Sequence, residues 1–397
     1  MAVTCSTKHL TTSNKLSGQI PLSLYIHFPW CVAKCPYCDF NSHALSSELP
    51  EDRYIDALLA DLELELPRVW GRTVHSIFLG GGTPSLFSAA AMDRLLSGVR
   101  ARLTVAPGAE ITLEANPGSV EHDRFEAYHA AGINRVSLGI QTFSDQRLKT
   151  LGRIHSSEEA KQAVAAVKTA GFDNFNLDLM WALPDQRVEE ALHDLEQALE
   201  YEPPHLSHYQ LTIEPNTVFA ARPPSLLEED TIWDIQEACA ERLTGMDYRA
   251  YEVSAWARPG AVSQHNLNYW RFGDYLGIGA GAHGKLTLPA EERVLRTRRK
   301  SHPRPYLKAL DDGSFIAEEN SVSESDLLFE FFLNRLRLHE PFGLDEFTAL
   351  TGLPASVPKT ALAQAQELGL LVEDQQRFSS TELGRRCLND LQALFLP

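Results

Sequence analysis

Three cysteines, Cys31, Cys35 and Cys38, are spaced as CxxxCxxC directly after a β-rich run. Three thiolates at this spacing can each bind one iron of a [4Fe-4S] cluster, which leaves the fourth iron without a protein ligand and able to chelate a substrate or cofactor. A structural zinc site would need four closed ligands, usually from two cysteine pairs. His43 could supply a fourth ligand, but no second pair follows. The spacing therefore favours an iron–sulfur cluster over zinc.

Glycine and polar residues end the β-rich runs that follow. The stretch GGGTP (80–84) follows the second run, Glu114 ends the third, Gln141 ends the fourth with Arg153 shortly after it, and Asp178 lies on the fifth. Glycines expose backbone groups to a ligand. Each polar residue taken alone could be a satisfied core partner, but four of them in successive units facing one mouth predict a ligand site.

Six β-rich runs alternate with amphipathic helical stretches from residue 22 to about 210. The strand candidates are SLYIHF (23–28), SIFL (76–79), ITLEA (111–115), RVSLGI (135–140), FNLDLM (175–180) and LSHYQL (206–211). Six βα units in a row predict an α/β fold with a parallel sheet, either open or curled into a partial barrel. In both cases functional groups gather at the C-terminal strand ends, which would bring the cysteines and the polar residues together.

Beyond residue 212 the pattern changes. We divide the chain into a flexible leader (1–20), a (βα)6 core (21–215), a barrel extension (216–315) and a C-terminal domain (316–397). The extension contains the segment HNLNYW (265–270) and a basic segment, RVLRTRRKSHPRP (293–305), that reads as a surface loop. The C-terminal domain reads as two helices followed by a hairpin, which is typical of a winged-helix-like α/β module.

Composition narrows the classes of function. The 397 residues carry 36 Lys and Arg against 53 Asp and Glu, a formal charge of −17, and 44% are hydrophobic. This is ordinary globular composition and a poor match to broad nucleic-acid binding. The apolar stretches are too short to span a membrane, and the Ser/Thr-rich start lacks the apolar segment of a secretory signal. Six cysteines in so long a chain predict a reducing, cytoplasmic setting rather than a disulfide framework.

The cysteine spacing after the first strand resembles the radical S-adenosylmethionine (SAM) superfamily. The wider string YIHFPWCVAKCPYCDFNSH resembles the oxygen-independent coproporphyrinogen III oxidase family and, within it, the heme-chaperone (HemW) branch, over residues 20–390. The resemblance implies a partial (βα)6 radical SAM barrel and a [4Fe-4S] cluster, held by the three cysteines, whose open iron binds the SAM methionine. It also implies contacts to the cofactor from Tyr25, Tyr37, Gly81, Gly82, Thr83, Glu114, Gln141, Arg153 and Asp178, with His27 nearby.

Two features separate the chain from the oxidases of that family. The oxidases extend the motif to CxxxCxxCxC, whereas Phe40 stands at the last position here. They also carry a longer arm before the motif, while 24 mostly polar residues precede Tyr25 in this sequence. Both differences argue against decarboxylation of coproporphyrinogen.

The segment HNxxYW resembles the signature of the heme-binding branch, in which the histidine, here His265, is tied to heme attachment. A neutral imidazole can ligate heme iron, and Tyr and Trp offer flat apolar surface. A His–aromatic core cluster without any ligand is the alternative. His283 is a second candidate ligand. The basic segment with Arg293, Arg296, Arg298, Arg299, Lys300 and Arg304 could hold heme propionates or form a solvated loop.

We therefore predict a cytoplasmic radical-SAM-type protein that binds heme and delivers it to an acceptor protein, a respiratory heme protein that could be membrane-associated. No nucleic-acid partner is expected. One alternative is an oxygen-independent coproporphyrinogen III oxidase. The other is a radical SAM enzyme with a different substrate.

Overall fold

The computed structural model describes residues 16, 20–46, 48–118 and 124–397. The leader predicted over residues 1–20 therefore lies outside the described residues, except for Leu16 and Ile20.

The described residues form seventeen strands. They are β1 (Leu22–Phe28), β2 (Trp30–Cys31), β3 (His43–Ala44), β4 (Thr73–Gly81), β5 (Thr104–Ala115), β6 (Arg135–Gln141), β7 (Phe175–Trp181), β8 (His205–Gln210), β9 (Arg249–Glu252), β10 (Ala255–Ala257), β11 (Asp274–Ile278), β12 (His283–Leu288), β13 (Arg293–Arg299), β14 (Ile316–Ser321), β15 (Phe342–Gly343), β16 (Leu371–Asp374) and β17 (Arg377–Ser380).

Twelve strands form one large sheet in the order β14-β13-β12-β11-β1-β4-β5-β6-β7-β8-β10-β9. From β11 to β8 in that order the neighbours run parallel, and the remaining strands extend the sheet antiparallel at both edges. Each of the six strands expected from the sequence is present. The predicted α/β class, with six parallel βα strands followed by a C-terminal module, is confirmed.

Helices connect and cover these strands. They are α1 (Glu51–Val69), α2 (Ala89–Arg102), α3 (Phe125–Ala130), α4 (Asp145–Thr150), α5 (Ser157–Thr169), α6 (Val188–Leu199), α7 (Val218–Ala221), α8 (Glu229–Gly245), α9 (Gln264–Trp270), α10 (Pro303–Lys308), α11 (Glu324–Arg335), α12 (Leu344–Thr351), α13 (Lys359–Glu367), α14 (Glu382–Arg386) and α15 (Leu388–Ala393), with 3-10 turns at Pro84–Leu86, Pro289–Glu291 and Ala309–Asp311.

Local sequence explains the main elements. In β1, six of seven residues are buried, because a parallel strand is covered on both faces and reads as a nearly continuous apolar run. Helix α5 begins at a capping box in which the Ser156 hydroxyl accepts from the Glu159 amide and the Glu159 carboxylate accepts from the Ser156 amide. This arrangement satisfies amide groups that a helix start leaves without partners.

The basic segment over 293–305 is not a surface loop, which corrects that expectation. Residues Arg293–Arg299 form β13, which pairs with β12 and β14 inside the large sheet, and Pro303–Lys308 form α10. The Arg299 side chain is 1% exposed and donates to Asp61 at 2.8 Å and to Glu65 at 2.7 Å, both on α1. Acidic side chains distant in sequence neutralise the arginines, so a strand that reads as basic can be buried.

The C-terminal module packs around a separate aromatic core. Phe331 and Phe332 on α11 contact Phe347 on α12, and the Phe332 ring stacks on Phe395 with centroids 3.8 Å apart. A small sheet, β15-β17-β16, completes the helix–helix–hairpin arrangement. Strand β14, at 316–321, pairs with β13 of the large sheet, so the module's own elements begin at Glu324.

Candidate cofactor site

The three cysteines lie in the connection after β1 and line one cavity of about 540 Å³ at the C-terminal ends of the parallel strands. Strands β2 and β3 pair in parallel, with Cys31 opposite Ala44, and thereby close the loop that carries Cys35 and Cys38. The Cys38 amide donates to the Cys35 carbonyl at 3.2 Å. Burial raises the pKa of the Cys31 and Cys38 thiols above the usual value.

This donor set fits a [4Fe-4S] cluster better than a single metal ion. Within the part of the chain that the structure describes, no three His, Cys, Asp or Glu side chains converge closely enough to hold one ion. A cluster accepts each thiolate on a different iron, so its ligands need not converge on one point. His43, the candidate fourth zinc ligand, does not line the cavity. Its ring instead lies against the ring of His302, with the two ring centroids 4.9 Å apart.

The glycine loop after β4 packs tightly against the cysteine connection. The Gly82 amide donates to the Phe28 carbonyl at 2.7 Å, and the Thr83 amide donates to the Trp30 carbonyl at 2.7 Å. A Cβ atom at Gly82 would overlap the Trp30 carbonyl, and Gly81 has a φ of +111°. Glycine is therefore required here, and the close approach leaves backbone groups at the cavity wall.

Glu114 is the acidic residue of the cavity that stands next to the glycine loop. Its carboxylate accepts the Gly81 amide at 2.9 Å. Burial raises the pKa of Glu114 to about 7, the Gly81 hydrogen bond opposes this rise, and the charge of Asp178 adds to it. A carboxyl group that titrates near neutrality can hold or release a proton when a charged ligand arrives.

Arg153 supplies the positive charge of the cavity. Its Nη2 donates to Asn116 Oδ1 at 2.6 Å and to the Gly139 carbonyl at 2.7 Å, and its Nη1 lies 3.8 Å from Cys35 Sγ. Asn116 also donates to the Thr83 hydroxyl at 3.0 Å. Arg153 is thus fixed between the strand ends and the cysteine loop, where it can neutralise thiolate or carboxylate charge.

Gln141 and Asp178 complete the side chains expected at this mouth. Gln141 has a φ of +71°, and its side-chain oxygen accepts from the Tyr209 hydroxyl. Asp178 accepts from Ser137 at 3.1 Å and from Asn176 at 2.8 Å. All of the expected glycine and polar residues of the mouth, Gly81, Gly82, Thr83, Glu114, Gln141, Arg153 and Asp178, therefore line the same cavity as the cysteines.

Sequence reasoning missed several further residues that line the cavity: Asn116, Ser137, Ser207, Tyr209, Glu252 and Asn266. Asn116 could have been found, because it follows β5 directly, two residues after Glu114. Tyr209 and Ser207 lie on the sixth strand, β8. Glu252 and Asn266 come from the extension. Asn266 belongs to the segment HNxxYW, of which only the histidine was assigned a role, and no local pattern marks Glu252.

The two tyrosines expected beside the cofactor lie at different depths. Tyr37 lines the cavity, whereas Tyr25 does not. The Tyr25 hydroxyl hydrogen-bonds His27 Nδ1 at 2.9 Å, and His27 Nε2 hydrogen-bonds the Asn41 carbonyl at 2.8 Å. Burial lowers the pKa of His27 to about 4. His27 therefore carries no charge at neutral pH, and it links the first strand to the cysteine loop.

His265 is buried between the two ends of the sheet. It is 1% exposed, and its two ring nitrogens hydrogen-bond Ser76 Oγ at 3.0 Å and the Tyr269 hydroxyl at 3.1 Å. Burial, aided by the charge of Arg135, lowers the pKa of His265 to about 3. With both ring nitrogens hydrogen-bonded, His265 has the environment that the His–aromatic core alternative predicts.

The arginines of β13, proposed from the sequence as partners of propionates, already have acidic partners. Arg296 bonds Glu330 and Tyr275, and Arg298 bonds Glu318. His283 is exposed at the start of β12. Phe40 is 56% exposed and lines the rim of the cysteine cavity.

Comparison with known proteins gives two family matches. Residues 25–198 match the radical SAM superfamily, and residues 322–387 match the HemN C-terminal domain. The curated protein "Heme chaperone HemW" of Escherichia coli is 55% identical over 376 residues, covering 95% of this chain and 98% of that protein. The proteins of the same name from Haemophilus influenzae and Lactococcus lactis are 52% and 35% identical, each over 95% of this chain.

One solved structure shares the whole fold. Coproporphyrinogen III oxidase (HemN) from Escherichia coli, described as a radical SAM enzyme, superposes with a TM-score of 0.80 at 23% identity, covering 96% of this chain and 92% of that chain. At this identity the likeness shows the fold alone. It extends over both the large sheet and the C-terminal module.

Proposed function

The chain belongs to the HemW family of heme chaperones within the radical SAM superfamily, and from that membership we propose that it binds heme and transfers it to an acceptor protein. The observation that carries the proposal is the 55% identity to a heme chaperone over 95% of the chain. The acceptor that we propose is a respiratory heme protein, reached from the cytoplasm. Among the described residues, no helix is long and apolar enough to cross a membrane.

We propose that the cysteine cavity holds a [4Fe-4S] cluster and SAM. Cys31, Cys35 and Cys38 would ligate three irons, and the open iron would take the amino and carboxylate groups of SAM. When bound, this pair supplies one-electron chemistry. Support comes from the donor set without a fourth protein ligand and from the backbone groups exposed by the glycine loop.

The remaining cavity residues would bind and orient the cofactor. Arg153, fixed by Asn116 and Gly139, would neutralise the SAM carboxylate. Glu114 and Asp178 would accept from amino or ribose hydroxyl groups. Tyr37 would cover the site with its ring.

Phe40 supports a chaperone rather than an oxidase. It stands at the position where the resembling oxidases carry a fourth cysteine, and its ring is 56% exposed at the cavity rim. An exposed apolar ring replaces a thiol there, so the chemistry of that thiol is absent. The fold likeness to an oxidase at 23% identity does not favour oxidase activity.

The proposal is tested with anaerobically reconstituted protein. Hemin is added and the Soret band is recorded; the loaded protein is then mixed with a heme-depleted respiratory heme protein or, as a control for passive release, with apomyoglobin. We expect stoichiometric hemin binding and faster transfer to the respiratory acceptor. Coproporphyrinogen III plus SAM should yield no protoporphyrinogen. Absence of hemin binding, or robust oxidase turnover, would overturn the proposal.

A further inference from the structure

A second and larger cavity lies at the opposite end of the large sheet from the cysteines. This cleft has a volume of about 1060 Å³ and is formed where the N-terminal ends of β1, β4 and the strands that follow meet the C-terminal module. Its volume is at the upper end of the range of small-molecule sites, which extends to about 1,000 Å³. The two cavities have no lining residue in common.

His75 is the histidine of this cleft and the one lining side chain that suits a transition metal. It lies on β4 where the pairing with β5 is interrupted between Val74 and Ser76, and its side chain is exposed. Among the described residues, His75 has no hydrogen-bond, ion-pair or ring partner. Unlike His265, it therefore has a ring nitrogen available for an incoming metal.

Three arginines also line the cleft. Arg271 follows α9, Arg335 ends α11 and Arg377 begins β17, and all three line the cleft. Two carboxylates, Glu340 and Glu346, pair with them. With Glu110, the lining of the cleft carries three carboxylates and three guanidinium groups, so its formal charges balance.

Two of these guanidinium groups keep unused donors. Arg271 bonds Glu340 through Nε and Nη2, and Arg377 bonds Glu346 and the Pro341 carbonyl through Nη2. The Nη1 atoms of both residues have no partner in the described part of the chain, and both side chains are about half exposed, at 50% and 47%. A ligand carboxylate could be bound there without breaking the existing pairs.

Apolar residues form the walls between the histidine and the arginines. Pro107, Ala109 and Leu267 line the side of the large sheet, and Pro341 and Leu350 line the side of the module. Glu110, the remaining acidic residue of the lining, is occupied by the amides of Gln264 and His265 at 3.1 Å. The cleft thus combines a free imidazole, apolar walls and cationic groups.

We infer that this cleft is the heme site, with His75 as the axial ligand of the iron and with Arg271 and Arg377 binding the propionates. The inference rests on the proposed function and adds the location and the ligands. A bound porphyrin would place its apolar body between the sheet and the module and its carboxylates toward the guanidinium groups. The cysteine cavity would stay open to SAM.

The test compares hemin with iron-free protoporphyrin IX, which cannot form the axial bond. His75→Ala should weaken hemin binding at least about tenfold, since loss of even a supporting group around a metal typically costs about 10–100-fold, and should shift the Soret band. Binding of protoporphyrin IX, followed by quenching of tryptophan fluorescence, should stay the same. The double variant Arg271→Gln, Arg377→Gln should weaken both porphyrins and remove the salt dependence of their binding.

Two further variants make the outcome decisive. His283→Ala, at the opposite sheet end, should bind hemin like the parent, and Leu350→Trp, which fills the cleft, should bind neither porphyrin while retaining SAM binding. If the parent binds hemin but His75→Ala and Leu350→Trp bind it equally well, the cleft assignment is wrong and the proposed function stands. If the parent binds no hemin, the proposed function itself fails.

Discussion

At the scale of single residues, the mouth of the sheet combines groups whose charge depends on their neighbours. The pKa of Glu114 reflects three influences. Burial has the largest effect and raises the pKa, the hydrogen bond from the Gly81 amide lowers it, and the charge of Asp178 raises it. Arg153 compensates charge on the other wall of the cavity. A cationic cofactor such as SAM would meet this carboxyl group half protonated at neutral pH, so its binding should release protons.

Replacement of Glu114 by Gln should stabilise the cofactor-free protein, and more so at high pH. The pKa of Glu114 is raised in the folded state to about 7. The parent protein therefore loses folding stability as the pH rises from the pKa that Glu114 has in the unfolded chain through 7. Below pH 4 parent and variant should be alike. At pH 8 the variant should gain on the order of 2 kcal/mol, since water in the cavity screens part of the cost.

Urea unfolding of Glu114→Gln and of the parent at pH 5 and pH 8 measures this difference. Gln keeps an acceptor for the Gly81 amide, so the hydrogen bond is not lost with the charge. Glu63→Gln, which removes a half-exposed acid on α1, controls for the general effect of one fewer acidic side chain. Equal stability of Glu114→Gln and the parent at pH 8 would contradict the raised pKa.

Replacement of Cys31, Cys35 and Cys38 by Ala should remove the iron–sulfur cluster. Among the cysteines that the structure describes, these three line the cavity, and each is expected to ligate one iron. After anaerobic reconstitution, the triple variant should contain no bound iron and should lack broad visible absorption. Cys387→Ala, in the C-terminal module, is the control and should load iron like the parent; unchanged iron in the triple variant would exclude the assignment.

At the scale of elements, distant segments fix the loops around the site. Asn41, just after the cysteines, donates to the carbonyls of Ala280 and Ser301. The turn at Gly279 is held in addition by Asp61, which accepts the Gly279 amide at 3.2 Å and the Tyr306 hydroxyl at 2.8 Å. The buried ion pairs of α1 with β13 therefore also support the wall beside the cysteine loop.

Replacement of Arg299 by Met should destabilise the protein strongly. The variant leaves Asp61 buried without its cation, a change that typically costs about 3–5 kcal/mol, whereas Glu65 keeps Arg68 at 3.3 Å. Arg298→Met, one residue away with an exposed partner in Glu318, should destabilise the protein far less, because solvent screens exposed ion pairs. Denaturant unfolding of both variants gives the comparison. The double variant Arg299→Met, Asp61→Leu should recover part of the loss, and equal effects of the two single variants would refute the role of the buried pairs.

The strands that are buried on both faces were predictable, because such burial requires a recognisable pattern of apolar residues. Strands β1, β6 and β7 are buried over nearly their whole length and carry apolar residues at every second position. Parallel pairing brings their C-terminal ends, and hence Gln141 and Asp178, to one mouth. Strand β13 was not predictable, because its buried Arg299 is neutralised by acids on α1 more than 230 residues earlier. A local pattern cannot show such pairing.

The environment of His265 was equally hidden. The segment HNxxYW indicates only that an imidazole and two aromatic rings lie on one short helix, α9. Whether the imidazole is free depends on Ser76, which lies on β4 and is 189 residues away in sequence. His75 is the sequence neighbour of Ser76, but it lines the cleft and belongs to no motif. Exposure determines which of these two imidazoles is available to a ligand. Exposure is a property of the tertiary structure, so a local sequence pattern does not show it.

At the scale of the whole molecule, the same strands serve two cavities. Strand β4 contributes His75 to the cleft and Gly81 to the cysteine mouth, and β5 contributes Glu110 and Glu114 in the same way. At about 3.3 Å per residue, His75 and Gly81 are roughly 20 Å apart along β4. The space between the two ends is filled by packed rings, including Phe78 stacked on His265 at 5.0 Å.

This separation predicts that heme and SAM bind independently. The helix α9 lines both cavities, with Asn266 at the mouth and Leu267 at the cleft, but hydrogen bonds from His265 to Ser76 and from its amide to Glu110 fix its position. A fixed element with one arrangement transmits little coupling energy.

The SAM affinity of the cluster-loaded protein, measured by calorimetry, should therefore change less than about twofold on saturation with hemin. Thermodynamic linkage requires the same factor for hemin affinity on saturation with SAM. Leu350→Trp with hemin added serves as the control without occupancy of the cleft. A tenfold or larger change in SAM affinity in the parent, absent from that control, would show that α9 moves and that the two ends of the sheet communicate.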